Sequence, residues 1–235
     1  MVLRRLFVVL VTAAVIIILV AAGCRGGGAG LEPPAVSVPL PWPVQPRVEV
    51  PALHSPHDLN GNGTPTSLDI VAGARGEVEK ETRYTSAYFA GGYPPDGEGA
   101  CTDIIWVALE HAGYDLKAAL DADIAAYPGD YPRARPADPN IDFRRVPNQV
   151  VFFRKYGTAL TTELRPGDVE NLVEWQAGDI VVWGPPYEHI GIISDRRRPD
   201  GVPLVIHNAG PVARENDALR LWPSDITHHF RFPPW

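Results

Sequence analysis

The chain predicts an α+β domain in which helices come first and an antiparallel sheet follows. Two observations carry this. Leu68, Val71, Ala74 and Val78 recur at helical spacing and residues 97–113 run from a glycine-rich loop into a second helical pattern, whereas the last third breaks into four short β-rich runs. Helical segments gathered ahead of a run of strands are the pattern of an α+β fold rather than of an alternating one.

At the N-terminus, Arg4 and Arg5 precede an apolar run from Leu6 to Val20 and then Ala21-Ala22-Gly23-Cys24. The run is short for a membrane span of about 20 residues, and small residues before a cysteine suit cleavage and lipidation. Residues 1–24 therefore resemble a bacterial lipoprotein signal peptide with Cys24 as the lipidated residue. An uncleaved anchor helix is the alternative, and Arg4-Arg5-Leu6-Phe7 is also partly similar to a twin-arginine signal. Residues 25–52 carry three consecutive glycines and prolines at 33, 34, 39, 41, 43, 46 and 51. No core forms from such a composition; at about 3.1 Å per residue it is a tether reaching on the order of 80 Å. The formal net charge of −7 becomes more negative once Arg4 and Arg5 are lost, which argues against a nucleic-acid partner.

Residues 53–69 hold a loop with oxygen side chains at the spacing of a calcium loop. Asp58, Asn60, Asn62, Thr64 (through its carbonyl), Thr66 and Asp69 take positions 1, 3, 5, 7, 9 and 12, with Gly63 at position 6. Position 12 is Asp in place of the bidentate Glu, and only two ligands are charged. A structural calcium of modest affinity is the expectation; an Asn-Gly turn followed by a Ser67 helix cap is the alternative.

A helix is expected over 67–84, then a tyrosine-bearing segment with Tyr84, Tyr88 and Tyr93. The next helix starts near Cys101 and ends at Gly113. With Cys24 committed to the lipid, Cys101 has no disulfide partner. At a helix N-terminus its thiolate is stabilised by unpaired N–H groups and the helix dipole, so its pKa is expected below about 8.5. Residues 114–146, rich in Pro, Asp and Arg, read as irregular, and a further helix spans Pro147 to Tyr156 with Gly157 closing it.

Strands are expected at 179–183, 189–194, 203–207 and 228–232, with Arg198-Pro-Asp-Gly201 turning between the second and third. Of the seven histidines, His54 and His57 lie at the tether's end. His111 lies ten residues along the cysteine helix, roughly 15 Å away. His189 begins one strand and His207 ends the next, so a hairpin brings both to one end of the sheet. His189 is then the base for Cys101, and His207 or Asn208 holds its tautomer.

Trp175-Gln-Ala-Gly-Asp-Ile-Val-Val-Trp183, His189-Ile-Gly-Ile-Ile-Ser-Asp195 and Val205-Ile-His207 resemble the motifs of NlpC-like papain-fold cysteine peptidases. Ala100-Cys-Thr-Asp103, Asn140-Ile-Asp-Phe-Arg-Arg-Val-Pro-Asn148 and the two histidine segments resemble more narrowly a bacterial family catalogued as domain of unknown function 1287, placed in the same clan. The resemblance covers roughly residues 68–235. It implies a papain-like fold over 67–235 with the cysteine helix packed on the sheet, Cys101 as nucleophile, His189 as base and His207 as the orienting residue. The clan's upstream tyrosine corresponds to Tyr88 on spacing. Where the clan's peptidoglycan peptidases carry Asp-Cys-Ser-Gly, this chain has Ala100-Cys-Thr-Asp. Arg144 and Arg145, with Asp103, are expected to face the substrate, the arginines clamping a carboxylate.

The expected function is a thiol hydrolase of amide bonds, acting on peptidoglycan or other peptides from a lipid anchor in the cell envelope outside the cytoplasm, with no cofactor needed for catalysis. A non-catalytic envelope lipoprotein that binds wall fragments or a partner protein is the rival, and a cysteine acyltransferase using the same residues is a third reading.

Overall fold

The computed structural model describes residues 47–235. The leader, Cys24 and most of the tether lie outside the described residues. Among the described residues no helix is long and apolar enough to cross a membrane.

Six helices and eight strands follow in order. They are α1 (Thr66–Glu79), β1 (Arg83–Tyr84), β2 (Glu98–Gly99), α2 (Cys101–His111), α3 (Leu116–Ala126), α4 (Val146–Tyr156), β3 (Thr158–Ala159), α5 (Val169–Leu172), β4 (Ile180–Trp183), β5 (His189–Arg197), β6 (Pro203–His207), β7 (Arg214–Asn216), α6 (Ala218–Leu221) and β8 (Ile226–Arg231). β1 and β2 form a small parallel pair; the others make one six-stranded sheet of order β3-β8-β4-β5-β6-β7, antiparallel throughout. The molecule is α+β with an antiparallel sheet.

Both faces of the sheet are covered, which is why β4 reads as an uninterrupted apolar run rather than an alternation. Ile180, Val182, Ile190, Ile192 and Ile206 face α1 and α2, packing with Ile70, Ala74, Ile104, Ile105 and Ala108. Val181, Trp183, Ile193 and Val205 face a second cluster with Leu172, Trp175, Val202 and Leu219. The two helices approach closely at Gly73, where an added Cβ would stand 2.6 Å from the Cβ of His111.

Several boundaries differ from the sequence reading. α1 stops at Glu79, and Ser67 does not cap it. The Ser67 hydroxyl accepts the Ser55 N–H at 3.1 Å instead, and Thr66 is already the first helical residue. Residues 114–146 are not wholly irregular. Asp115 caps α3 by accepting the Ala118 N–H at 2.9 Å, and Leu116, Leu120 and Ile124, four apart, are buried on one side of that helix. α2 ends as expected: Gly113 takes φ +88°, and the Tyr114 N–H returns to the Leu109 carbonyl at 2.8 Å.

Candidate functional site

The β4–β5 hairpin pairs Trp183 with His189, and β5–β6 pairs Ile192 with Ile206. His189 therefore starts β5 where His207 ends β6, and the two rings meet. His189 Nε2 lies 2.8 Å from His207 Nδ1, and His207 Nε2 lies 3.0 Å from Asn216 Oδ1 on β7. This chain of contacts fixes the hydrogens. An amide oxygen only accepts, so His207 Nε2 carries a hydrogen and neutral His207 offers Nδ1 as an acceptor. His189 must then donate through Nε2, which leaves its Nδ1 as a bare lone pair able to take a proton.

Gly191 makes room for this arrangement. A Cβ there would stand 2.6 Å from Val205 Cγ1 and 3.3 Å from the Cβ of His207. The glycine of His189-Ile-Gly-Ile is thus required by the close approach of β6.

Trp222 stacks on the His189 ring at 4.0 Å between centroids and 11° between planes, and Trp183 flanks it at 5.6 Å. Burial under these indoles, with the positive charge His207 would carry, holds His189 down at about 3. Burial likewise lowers His207, opposed by its bond to Asn216 and aided by Arg214.

Cys101 is the first residue of α2, partly buried. Backbone N–H groups favour its thiolate form, above all that of Ile190, the residue after His189, and then those of Thr102 and Cys101. The expected fall in its pKa does not occur. Desolvation outweighs those donors, Asp103 adds its negative charge, and the thiol is pushed up to about 11. At rest the site holds a neutral thiol and a neutral imidazole.

Other expected site residues lie elsewhere. Asp103 and Arg144 do not face a substrate, because they bind each other. Arg144 Nε and Nη2 donate to the two Asp103 oxygens at 2.7 and 2.9 Å with both side chains buried, and Arg144 Nη1 donates to the Ala87 carbonyl at 2.9 Å. Asp103 also accepts the Ala100 N–H at 2.6 Å and Trp106 Nε1 at 2.9 Å, so its oxygens are taken. The pair locks the first turn of α2 to the turn before α4. Arg145 is half-exposed, 3.4 Å from Asp142, and donates to the Arg133 carbonyl. Tyr88 is exposed, its hydroxyl bonded to Asp138 at 3.1 Å and to Asn140 at 2.9 Å. Asn208 does not orient His189. Its amide donates to the Thr82 and Gly99 carbonyls at 3.1 and 2.9 Å, tying the end of β6 to the segment that leads into Cys101. Asn216, Trp222 and Trp183 are the site residues that the sequence reading passed over.

In the 58–69 loop, Asp58 accepts the N–H groups of Gly61, Asn62 and Gly63. Asn60 and Asn62 each donate an amide to one oxygen of Asp69 at 3.1 Å, and the Thr64 N–H is bonded to Asn62. The side chains converge, but with amide nitrogens turned toward Asp69 where a cation would need the amide oxygens. No group of three or more His, Cys, Asp or Glu suited to a metal occurs among the described residues.

Residues 71–232 match the family described as "Domain of unknown function (DUF1287)". The chain belongs to the DUF1287 family. It is also similar to a protein of Escherichia coli (strain K12), "Uncharacterized protein YijF", with 36% identity over 176 residues, covering 71% of this chain and 82% of that protein. No solved structure matches the chain significantly. The DUF1287 match takes in Cys101, His189, His207 and Asn216, but not the 58–69 loop.

Proposed function

We propose that this DUF1287 protein is a papain-like cysteine hydrolase of amide bonds in cell-wall peptides, related to the NlpC-like clan and held in the cell envelope by a lipid on Cys24. One observation carries the reading: a helix-terminal cysteine whose thiolate is favoured by the N–H of Ile190, the residue after a histidine whose tautomer is set by a second histidine and an asparagine.

With the resting pair neutral, His189 acts as a general base. As Sγ attacks the carbonyl carbon, the thiol proton passes to His189 Nδ1, and the imidazolium keeps its Nε2–H bond to His207. The oxyanion lies toward the N–H groups of the first turn of α2. His189 then returns the proton to the leaving amine, leaving a thioester. A water that gives its proton to the same nitrogen releases the acid and restores the thiol. A structural calcium in the 58–69 loop belongs to this proposal, with Asp58, Asp69 and the Asn60 and Asn62 oxygens as ligands once the two amides rotate.

The full chain is to be incubated with soluble peptidoglycan peptides and new amino termini measured. Cys101→Ser and His189→Ala should each lower turnover by at least 100-fold while circular dichroism stays native. Full activity in either variant ends the proposal. The high pKa of the thiol favours a second reading, an inert cysteine in a protein that binds wall fragments. On that reading Cys101→Ala binds the peptides as wild type does and no product appears.

A further inference from the structure

We infer that a cavity whose walls adjoin the candidate catalytic residues along the chain is a subsite for a substrate carboxylate, with Arg133 and Arg145 as its receptors and Glu188 setting its polarity; this rests on the hydrolase reading above. The cavity, of about 470 Å³, is lined by Arg133, Arg145, Val146, Pro147 and Glu188. A neighbouring space of about 310 Å³ shares Val146, Pro147 and Glu188 and runs on past Trp183 to His228.

Both walls are joined to the candidate catalytic residues. Glu188 immediately precedes His189. The Arg145–Pro147 rim is fixed to the first turn of α2, because Thr102 Oγ1 donates to the Arg144 carbonyl at 3.0 Å and Gln149 Nε2 donates to the Thr102 carbonyl at 3.3 Å. The lining thus begins one residue from His189 along the chain, and one residue past a hydrogen bond to Thr102, the neighbour of Cys101.

The charges that line it are not spent on one another. Arg133 is exposed with no ion-pair partner among the described residues, and Glu188 likewise has none. Arg145 donates through Nη1 to the backbone carbonyl of Arg133 and reaches one carboxylate oxygen, that of Asp142, at 3.4 Å, longer than a good charge-assisted bond. The two guanidinium groups accept an anionic group, and the Glu188 carboxylate, next to His189 in the chain, repels it. The apolar floor of Val146 and Pro147 fits a short side-chain stem between backbone and carboxylate. A peptide with a free carboxylate near the scissile amide matches this layout; a neutral or cationic peptide does not.

The test uses two thiol-reactive probes, N-iodoacetylglutamate and its uncharged diamide, on the full chain, with alkylation of the Cys101 peptide followed by mass spectrometry so that Cys24 does not interfere. The acid should react about fivefold or more faster than the diamide at low ionic strength, and the preference should shrink in 0.5 M salt. Arg133→Gln with Arg145→Gln should bring the ratio close to one, and Glu188→Gln should raise it. Equal rates for the two probes on wild type, with alkylation still dependent on His189, overturn the subsite and leave the hydrolase reading standing. A Cys101 inert to both probes, or one whose alkylation ignores His189→Ala, overturns the hydrolase reading and the subsite with it.

Discussion

Trp222 offers the most direct test of the site's electrostatics. Its indole lies flat on His189 at 4.0 Å, and the ring beneath is 4% exposed. An ordinary histidine titrates near 6.5, whereas His189 sits at about 3 because burial disfavours its charged form. In Trp222→Ala water reaches the ring, and its pKa should climb by at least about one unit, or 1.4 kcal/mol. The sign follows from the depressed value. Between 6.5 and 3 the unfolded chain holds a proton on this histidine that the folded chain refuses, so stability is full above 6.5 and falls with pH below it. By pH 4.5 the cost is on the order of 3 kcal/mol. A one-unit rise trims that cost by only about 0.1–0.2 kcal/mol at pH 4.5 but by about 1 kcal/mol at pH 3, so Trp222→Ala should flatten the slope below about pH 4, and Trp222→Phe should restore most of it. Carbon-proton correlation spectra of the His189 ring against pH give the pKa, and urea melts at about pH 7, 4.5 and 3 give the slope. A His189 titration unmoved in Trp222→Ala would refute the argument that the indole keeps the ring neutral.

Three further outcomes follow from the geometry. Asp103→Ala strands a buried guanidinium and should cost about 3–5 kcal/mol in denaturant melts, whereas joint replacement by Asp103→Leu and Arg144→Met should cost less. Gly191→Ala drives a Cβ into Val205 and toward His207; it should lose about 1–3 kcal/mol and lower kcat more than KM for the cell-wall peptide, and a wild-type kcat would show that the His207 position is not critical. Calcium at 10 mM should raise Tm by about 3–6 °C, as a millimolar Kd gives roughly 1.4 kcal/mol. That rise should vanish in Asp69→Asn, and no rise in wild type removes calcium from the proposal.

β4, β5 and β6 were legible because they are short runs of mostly apolar, β-branched residues buried over most of their length. The placement of His189 and His207 at one end followed from hairpin register alone. Asn216 was not legible: β7 is three polar residues, Arg-Glu-Asn, with no alternation to mark a strand. α3 was hidden because Leu116, Leu120 and Ile124 begin a stretch otherwise dense in Pro, Asp and Arg. The Asp103–Arg144 pair joins residues 41 apart, and nothing local in either segment announces the other. The thiol's pKa failed for a different reason. Sequence shows that a cysteine opens a helix, which lowers the value, but not how much water the fold withdraws, which here raises it more.

The C-terminal end of α2 has its own fastening. Asn60 donates to the His111 carbonyl at 3.0 Å, and a Cβ on Gly113 would meet the Asn60 backbone nitrogen at 3.1 Å. With the Asp103–Arg144 pair at its other end, the helix behaves as a beam clamped at both supports, about 16 Å long at 1.5 Å per residue. A beam held this way does not slide along its axis, so the position of Cys101 is set partly by a loop at the opposite end of its helix. Lengthening that loop by one residue would then act on the nucleophile as a change of leverage, without touching any atom near it.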